Sequence, residues 1–138
     1  MASTVPFKLI TPTRVAFDGE AELVIAVTTE GEEGILPKHA PFLAALKPGI
    51  LRANVRDGGS TTRLEVATGE GFMQALPDRV TVLVDDALRF EDVDVAKTRE
   101  ELQAATERQK QDGGDPLAFE RDQAAIDFAN AKLRLTGH

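Results

Sequence analysis

The sequence predicts a mainly β protein with an added α part: an N-terminal flattened β-sandwich or barrel, followed by a C-terminal antiparallel two-helix hairpin. Apolar and polar residues alternate with a period of two from Phe7 to Val84, as in strands that bury one face. After Phe90 the spacing becomes that of helices, and Gly113-Gly114 divides this part in two. We therefore expect a sheet domain at residues 1–90 and a helical hairpin at residues 91–138.

The first three strands have different patterns. Two short strands are predicted on either side of Thr11-Pro12-Thr13, and the second ends at Asp18-Gly19, a pair typical of turns. Residues 23–27 are apolar on both faces. A strand of this kind is covered on both sides, so we expect it at the centre of the sheet.

Two hairpins follow. The clearer one joins residues 51–55 to residues 64–66 through Asp57-Gly58-Gly59-Ser60, whose glycines accept a positive φ. The other spans residues 72–84, with Pro77 at a turn position. In all, about eight or nine short strands with turns at intervals of roughly 8 to 12 residues are typical of a sandwich or flattened barrel.

Helix boundaries are clear in the last third of the chain. Asp92-Val93-Asp94 offers capping carboxylates, and the residues from there to Gln111 are strong helix formers. Asp115 can cap a second helix that has Pro116 at its first position and that Gly137 ends. The tail is therefore predicted to be a helical hairpin.

The two predicted helices differ in their apolar faces. Val95 and Leu102 are the only large apolar residues of the narrow face on the first helix. The second helix has a broad stripe, formed by Phe119, Ile126, Ala129 and Leu133 and widened by Ala125, Phe128 and Leu135. Such stripes usually pack in a core, so a hairpin docked on the sheet is the simplest interpretation. The narrow face leaves a detachable arm as the alternative.

Composition excludes several classes of function. The 16 basic and 23 acidic residues give a net charge of −7, which does not favour nucleic acid or anionic lipid as a partner. We find no apolar run of roughly 18 residues and no signal-peptide pattern, so we expect neither a membrane span nor secretion. The absence of cysteine rules out disulfides and thiolate chemistry, and it favours a cytosolic compartment.

The residues offer little for catalysis. Two histidines, His39 and His138, cannot build a triad or a histidine metal cluster, and Gly69-Glu70-Gly71 has no following helix that could hold a phosphate. Residues 30–34 place three carboxylates beside two glycines, which is compatible with a weak cation or acid–base site but more simply with a solvated acidic turn. We expect no catalytic residue and no metal ligand, and therefore a binding or structural module.

Residues 35–43 form an apolar segment that Pro37 and Pro41 interrupt. Because proline cannot donate to a strand ladder, this segment cannot be an interior strand. A proline-stiffened apolar edge either packs beneath a loop or is offered to a partner, and stiffness lowers the entropic cost of binding. The residues alone leave both alternatives open.

Several strings of residues carry a resemblance that covers nearly the whole chain. They are Phe17-Asp18-Gly19, Thr29-Glu30-Gly31-Glu32-Glu33-Gly34-Ile35-Leu36-Pro37-Lys38-His39-Ala40-Pro41-Phe42-Leu43, Leu46-Lys47-Pro48-Gly49, Gly69-Glu70-Gly71-Phe72 and Val80-Thr81-Val82-Leu83-Val84-Asp85. The chain resembles the epsilon subunit of the rotary, proton-translocating F-type ATP synthase. Its most specific feature is the string of glycine, histidine and proline from Gly31 to Pro41.

The resemblance implies a non-catalytic rotor subunit of the central stalk, which couples proton flow to ATP synthesis. The sheet domain is expected to bind the gamma subunit and the polar loops of the c ring, and the helical hairpin to contact the alpha and beta subunits and inhibit ATP hydrolysis. Expected partner contacts are Glu30, Glu32, Gly34, Pro37, His39 and Pro41. The chain would be membrane-associated only through the complex, on the cytoplasmic side of the bacterial inner membrane or at the plastid thylakoid.

Some members of that family bind ATP through an [IL]-D-x-x-R-A string at the start of the first tail helix. The corresponding string here is Val93-Asp94-Val95-Ala96-Lys97-Thr98, with lysine in the place of arginine. Phe128 stands about where one helper arginine would lie, and Lys132 stands near the other. Lysine lacks the planar fork of arginine, so Asp94, Lys97 and Lys132 are expected to make at most a weak ATP contact. No other cofactor is expected.

A second class of function stays open beside the rotor subunit. It is a free-standing small β-sandwich that binds a ligand, or acts as a hydrolase, through the carboxylates of residues 30–33. Copurification with gamma, alpha and beta subunits would distinguish the two.

Overall fold

The computed structural model describes residues 3–138. Within these residues it contains nine β-strands, a short 3-10 helix at Phe90–Asp92 and two α-helices. The predicted fold class, a mainly β sandwich followed by two helices, is confirmed. The strands are β1 (Val5–Ile10), β2 (Val15–Thr28), β3 (Gly31–Ile35), β4 (Phe42–Leu46), β5 (Gly49–Asp57), β6 (Ser60–Thr68), β7 (Gly71–Leu76), β8 (Arg79–Val84) and β9 (Ala87–Arg89), and the helices are α1 (Val95–Lys110) and α2 (Pro116–Leu135).

One long strand closes the sheet into a flattened barrel. The strands follow the order β1-β8-β7-β4-β2-β5-β6-β9, and β2 pairs in addition with β1 and β3. The β1–β8 pair is parallel, and the other pairs are antiparallel. Both predicted hairpins are present, as β5–β6 and β7–β8. In the first, Gly58 has the positive φ of +65° that its turn requires.

The turn predicted at Asp18-Gly19 is wrong, because β2 runs unbroken through this pair. Gly19 lies opposite Phe7 of β1, and a β-carbon at Gly19 would come within 2.9 Å of the Phe17 ring. The missing side chain therefore makes room for an aromatic ring and does not turn the chain. Continuous pairing with β1 overrides the local turn signal.

Residues 23–27 lie in the centre of the sheet, as expected, because β2 there pairs with β3 and β5. Val24 and Ala26 are buried in the core, whereas Leu23, Ile25 and Val27 are half-buried. The expectation that this strand is covered on both sides is therefore correct for one face and only partly correct for the other.

The hydrophobic core lies inside the barrel. Among residues 3–138, its members all belong to the sheet domain, and the largest fully buried ones are Phe7, Leu9, Ile35, Leu51 and Met73. Every second residue of β1, β7 and β8 faces this core. The period-two pattern of the sequence thus corresponds directly to the buried face.

The helix boundaries lie within a residue or two of the predicted ones. Asp94 caps α1 by accepting a hydrogen bond from the Lys97 amide at 3.0 Å. Asp115 caps α2, and Gly137 ends it with a φ of +79°. The two helices pack against each other, and α2 also packs on β5 and β6.

The stripe predicted for α2 needs a correction. Phe119 is 49% exposed, whereas the polar residues Asp122 and Lys132 are buried together with Ala129 and Leu133. The reason is that α2 lies between the sheet and α1, and the side that faces α1 is held by polar contacts. In α1 itself, within the described residues, only Thr98 and Ala105 are buried. The narrow face predicted for this helix is confirmed.

No helix within residues 3–138 is both long enough and apolar enough to span a bilayer.

Candidate functional site

The acidic segment forms a tight turn between β2 and β3. The Thr28 hydroxyl accepts a hydrogen bond from the Glu30 amide at 3.1 Å and donates one to the Gly31 carbonyl at 2.6 Å. Gly31 has a φ of +119°, a conformation that side chains rarely adopt. The turn is therefore well defined, and it presents the Glu30 side chain to solvent.

Glu30 and Glu32 border the same cleft. This cleft has a volume of about 370 Å³, and its walls are the β2–β3 turn on one side and residues 42–45 of β4 on the other. Glu32 accepts a 2.7 Å ion pair from Arg52 of β5. Both partners are partly exposed, so this pair adds little to stability. Glu32 thus lies at the rim of the cleft with its carboxylate beside Arg52.

The proline segment connects this cleft to the rest of the predicted contact set. Lys38 has a φ of +66°, and the His39 amide donates to the Leu36 carbonyl at 3.2 Å. The His39 ring lies 6.0 Å from the ring of Phe42, which lines the cleft. Of the six predicted contact residues, Glu30 and Glu32 share the cleft, and His39 lies next to its wall. Gly34, Pro37 and Pro41 lie along β3 and the following loop.

The apolar side chains of the proline segment are largely exposed. Residues 36–41 lie outside the strands, as the prolines predict. Leu36 is 59% exposed and Leu43 is 71% exposed, whereas Ile35 is buried. Between the two alternatives, the structure favours an edge that is open to a partner over an edge packed beneath a loop.

A second exposed apolar feature was not predicted from the sequence. Ala45, Phe72, Leu83 and Ile10 lie side by side on β4, β7, β8 and β1, on the outer face of the sheet. Phe72 is 58% exposed and Leu83 is 52% exposed. We call these four residues the outer row. The available signal was that Phe72 and Leu83 occupy positions of their strands where the alternation calls for polar residues.

The three residues considered for ATP are dispersed. Asp94 caps α1, and Lys97 is exposed in the first turn of that helix. The Lys132 ammonium donates to Glu101 at 3.1 Å and lies 4.6 Å from the centre of the Phe128 ring. Its charge is therefore already paired within the hairpin.

A cavity of about 420 Å³ lies between α2 and the adjoining end of the sheet. Lys132 and Arg121 line it together with Glu70, Asp85 and Asp86, but Asp94 and Lys97 do not. Partial burial and the charge of Asp86 raise the pKa of Asp85. Carboxylates that already repel one another make an unfavourable wall for a triphosphate.

Polar contacts join the two helices. Besides the Glu101–Lys132 pair, Arg108 donates to Asp122 at 3.1 Å and Gln109 donates to Gln123 at 2.8 Å. Within residues 3–138, no group of three or more acidic or histidine side chains is arranged to hold a metal ion.

A β-sandwich followed by a helical hairpin is the architecture of the class formed by the delta and epsilon chains of ATP synthase. Residues 4–90 match the family model described as the β-sandwich domain of the ATP synthase delta/epsilon chain. The chain belongs to the ATP synthase epsilon chain family, which forms a non-catalytic subunit of the synthase. This membership decides against the alternative of a free-standing hydrolase that uses residues 30–33.

Curated relatives match over most of their length. The chain is 38% identical to the ATP synthase epsilon chain of Chromobacterium violaceum over 127 residues, which cover 92% of this chain and 89% of the relative. It is 36% identical to that of Syntrophobacter fumaroxidans over 135 residues, covering 98% and 97% of the two chains. The similarity therefore includes the helical hairpin as well as the sheet domain.

Two solved structures share the fold. A chain of the mitochondrial ATP synthase of Euglena gracilis superimposes with a TM-score of 0.76 at 20% identity, covering 98% of this chain and 82% of that chain. A chain of the central stalk and c ring of the Tetrahymena thermophila enzyme gives a TM-score of 0.60 at 16% identity, with 97% of each chain covered.

Proposed function

We propose that the chain works in the central stalk as a rotor subunit that couples proton flow to ATP synthesis. Its sheet domain would bind the neighbouring stalk subunits, and its helical hairpin would be a regulatory arm. The observation that carries the proposal is the outer row. An exposed apolar row on paired strands is a rigid docking surface, and exposed apolar patches of this kind mark protein interfaces.

The outer row is suited to the gamma subunit. Phe72 and Leu83 are neighbours on paired strands, and Leu43 extends the exposed apolar surface on β4. Because strand backbones are fixed by their ladders, little conformational entropy is lost when such a surface binds. A torque-bearing contact needs this rigidity.

The cleft rim is suited to the polar loops of the c ring. It presents Glu30, Glu32 and the ring of His39 on a turn and a proline-held loop. Charged and polar groups at a rim set orientation and specificity more than affinity. We propose Glu32 and His39 as the main contacts, with Gly34 beside them on β3 and with the loop shaped by Pro37 and Pro41.

The double replacement Glu32→Lys and His39→Asp is expected to weaken the coupling of proton flow to ATP synthesis while the sheet domain stays folded. Both side chains lie at the surface, where substitutions usually change stability by no more than about 0.5 kcal/mol. Proton pumping by reconstituted synthase measures the coupling. Arg52→Ala is the matched control, since it breaks the Glu32–Arg52 pair and leaves the proposed contacts in place. Equal defects in both variants would assign the effect to the ion pair.

Residues 1–90 are expected to fold and to bind gamma without the hairpin. The core cluster of the described residues lies entirely in the strands, and the main contacts of α2 with the sheet are with β5 and β6, outside this cluster. Circular dichroism and copurification with gamma test this expectation. A truncated chain that is unfolded, or folded but unable to bind gamma, would contradict the domain assignment.

ATP is expected to bind the isolated chain no more tightly than at about millimolar concentration. Lys132 is paired with Glu101, and Lys97 lacks the fork of an arginine. Isothermal calorimetry decides the matter, with Lys132→Ala as the variant that removes the last candidate. A micromolar dissociation constant that Lys132→Ala abolishes would show that the site is functional.

The chain is proposed to sit at the cytoplasmic side of the bacterial inner membrane and to be held there by the complex. Its contacts with the alpha and beta subunits belong to the extended state of the arm. The net charge of −7 gives no support to a nucleic-acid partner.

A further inference from the structure

A buried carboxylate lies where the two helices meet near their connecting turn. Asp122 of α2 is 1% exposed. It accepts hydrogen bonds from Nε of Arg108 in α1 at 3.1 Å and from Arg121 of its own helix at 3.3 Å. Both arginine side chains are themselves mostly exposed. Asp122 is thus held from both helices at once.

A second carboxyl lies beside it. Asp112 is in the turn after α1, where the Asp115 amide donates to its carbonyl at 3.0 Å, and its carboxyl is within hydrogen-bonding reach of Asp122. Its Oδ2 atom is buried and has no hydrogen-bond partner among the described residues. An unpartnered buried carboxylate oxygen is costly, whereas a protonated carboxyl could donate to Asp122, which has lone pairs to spare.

We propose that Asp112 and Asp122 form a proton-binding latch between α1 and α2, in which a proton on Asp112 is shared with Asp122 and fastens the closed hairpin. The latch needs nothing outside this chain. Its regulatory meaning rests on the proposed function of the arm: mild acid would hold the hairpin closed, and loss of the proton would loosen α1.

The charges around the latch support this direction. Burial and then the charge of Asp122 raise the pKa of Asp112, and the nearby carboxylate of Asp115 acts in the same sense, whereas the charge of Arg121 opposes them and is outweighed. Hydrogen bonds from Arg121 and Arg108 hold the pKa of Asp122 below its ordinary value, although its burial acts in the opposite direction.

Other charged groups border the same region. Lys110, which pairs with Glu107, and Glu120 line the turn. On the sheet side, Glu70, Asp85 and Asp86 share a cavity with Arg121. Within the described residues, both arginine hydrogen bonds go to Asp122 and neither goes to Asp112. Because the arginines favour the charged form of Asp122, the shared proton resides on Asp112.

The sign follows from these two directions. A raised pKa means that protonated Asp112 stabilises the closed hairpin below the ordinary aspartate pKa, and that this stabilisation is lost as pH rises through the raised value. The lowered pKa of Asp122 means that its contribution is present above the ordinary pKa and is lost as pH falls through the lowered value. The closed hairpin is therefore most stable between the lowered pKa of Asp122 and the raised pKa of Asp112.

Carboxyl carbon NMR of the full-length chain, titrated from about pH 3 to about pH 8, tests the latch directly. We expect the midpoint of Asp112 to lie above the ordinary aspartate value and that of Asp122 to lie below it. Hydrogen exchange, corrected for the intrinsic pH dependence of amides, should show several-fold more opening near residues 108–123 once Asp112 loses its proton.

The variant Asp112→Asn imitates the protonated state, because its amide can donate to Asp122. In this variant the hydrogen exchange near residues 108–123, corrected for intrinsic amide rates, should not depend on pH above the titration of Asp122. Asp78→Asn, which changes an exposed aspartate in the β7–β8 turn, should keep the wild-type pH dependence. A midpoint of Asp112 at or below the ordinary aspartate value, or an unchanged pH dependence in Asp112→Asn, would overturn the latch. Because these measurements use the isolated chain, their failure is distinguishable from failure of the proposed function, which is measured as ATP hydrolysis by the synthase.

Discussion

Replacing Phe7 with alanine is expected to lower the free energy of unfolding of the sheet domain by about 3 to 5 kcal/mol. Phe7 is 0% exposed, it belongs to the strand that pairs with both β2 and β8, and its ring lies 5.5 Å from that of Phe17. Removing the ring would leave a cavity in the middle of the core. Denaturant unfolding followed by circular dichroism measures the loss.

Phe72→Ala is the matched control, since it makes the same change on the outer face. Phe72 is 58% exposed, so its replacement should change stability by no more than about 0.5 kcal/mol. If the outer row binds gamma, this variant should have a many-fold lower affinity for gamma although it remains folded. Normal binding of gamma by Phe72→Ala would remove the outer row from the proposed interface.

Removing residues 93–138 is expected to raise ATP hydrolysis by the assembled synthase severalfold. The proposed reason is that α1 is weakly held, so that the hairpin can open and serve as an arm. Val95 and Leu102 are only half-buried, and full burial would contribute roughly 1.5 to 3 kcal/mol for each. A shift of a two-state preference from 99:1 to 1:99 takes about 5.5 kcal/mol, which a competing interface on gamma, alpha and beta can supply. Gly113 and Gly114, with φ of +58° and +86°, form the joint between the helices.

Steady-state hydrolysis by synthase reconstituted with the full-length or the shortened chain makes this comparison. Equal amounts of bound subunit must be verified, because loss of the chain from the stalk would also change the rate. Equal hydrolysis in the two preparations would indicate that the hairpin is a permanent brace.

The parts of the fold that could be predicted from the sequence are those that local chemistry decides. The hairpin at residues 57–60 follows from its glycines, and the starts of α1 and α2 follow from the caps Asp94 and Asp115. The turn expected at Asp18-Gly19 failed because a long-range partner, β1, continues the ladder through it. No local pattern carries that information.

The candidate site shows the same division. The acidic turn and the proline segment were recognisable because glycines and prolines mark them in the chain. The outer row was not recognisable, because its four members come from four strands that only the sheet order brings together. Likewise, the burial of Asp122 and Lys132 depends on partners 14 and 31 residues away, namely Arg108 and Glu101.

A disulfide that locks α2 to the sheet tests the account most directly. The chain has no cysteine, so a single engineered pair between α2 and β6, which pack together, would form one defined bond. We expect the oxidised synthase to hydrolyse ATP at the same raised rate as synthase that contains the shortened chain. Reduction of the same sample should restore inhibition. Identical hydrolysis before and after reduction, with the bond shown to form and break, would contradict the regulatory arm.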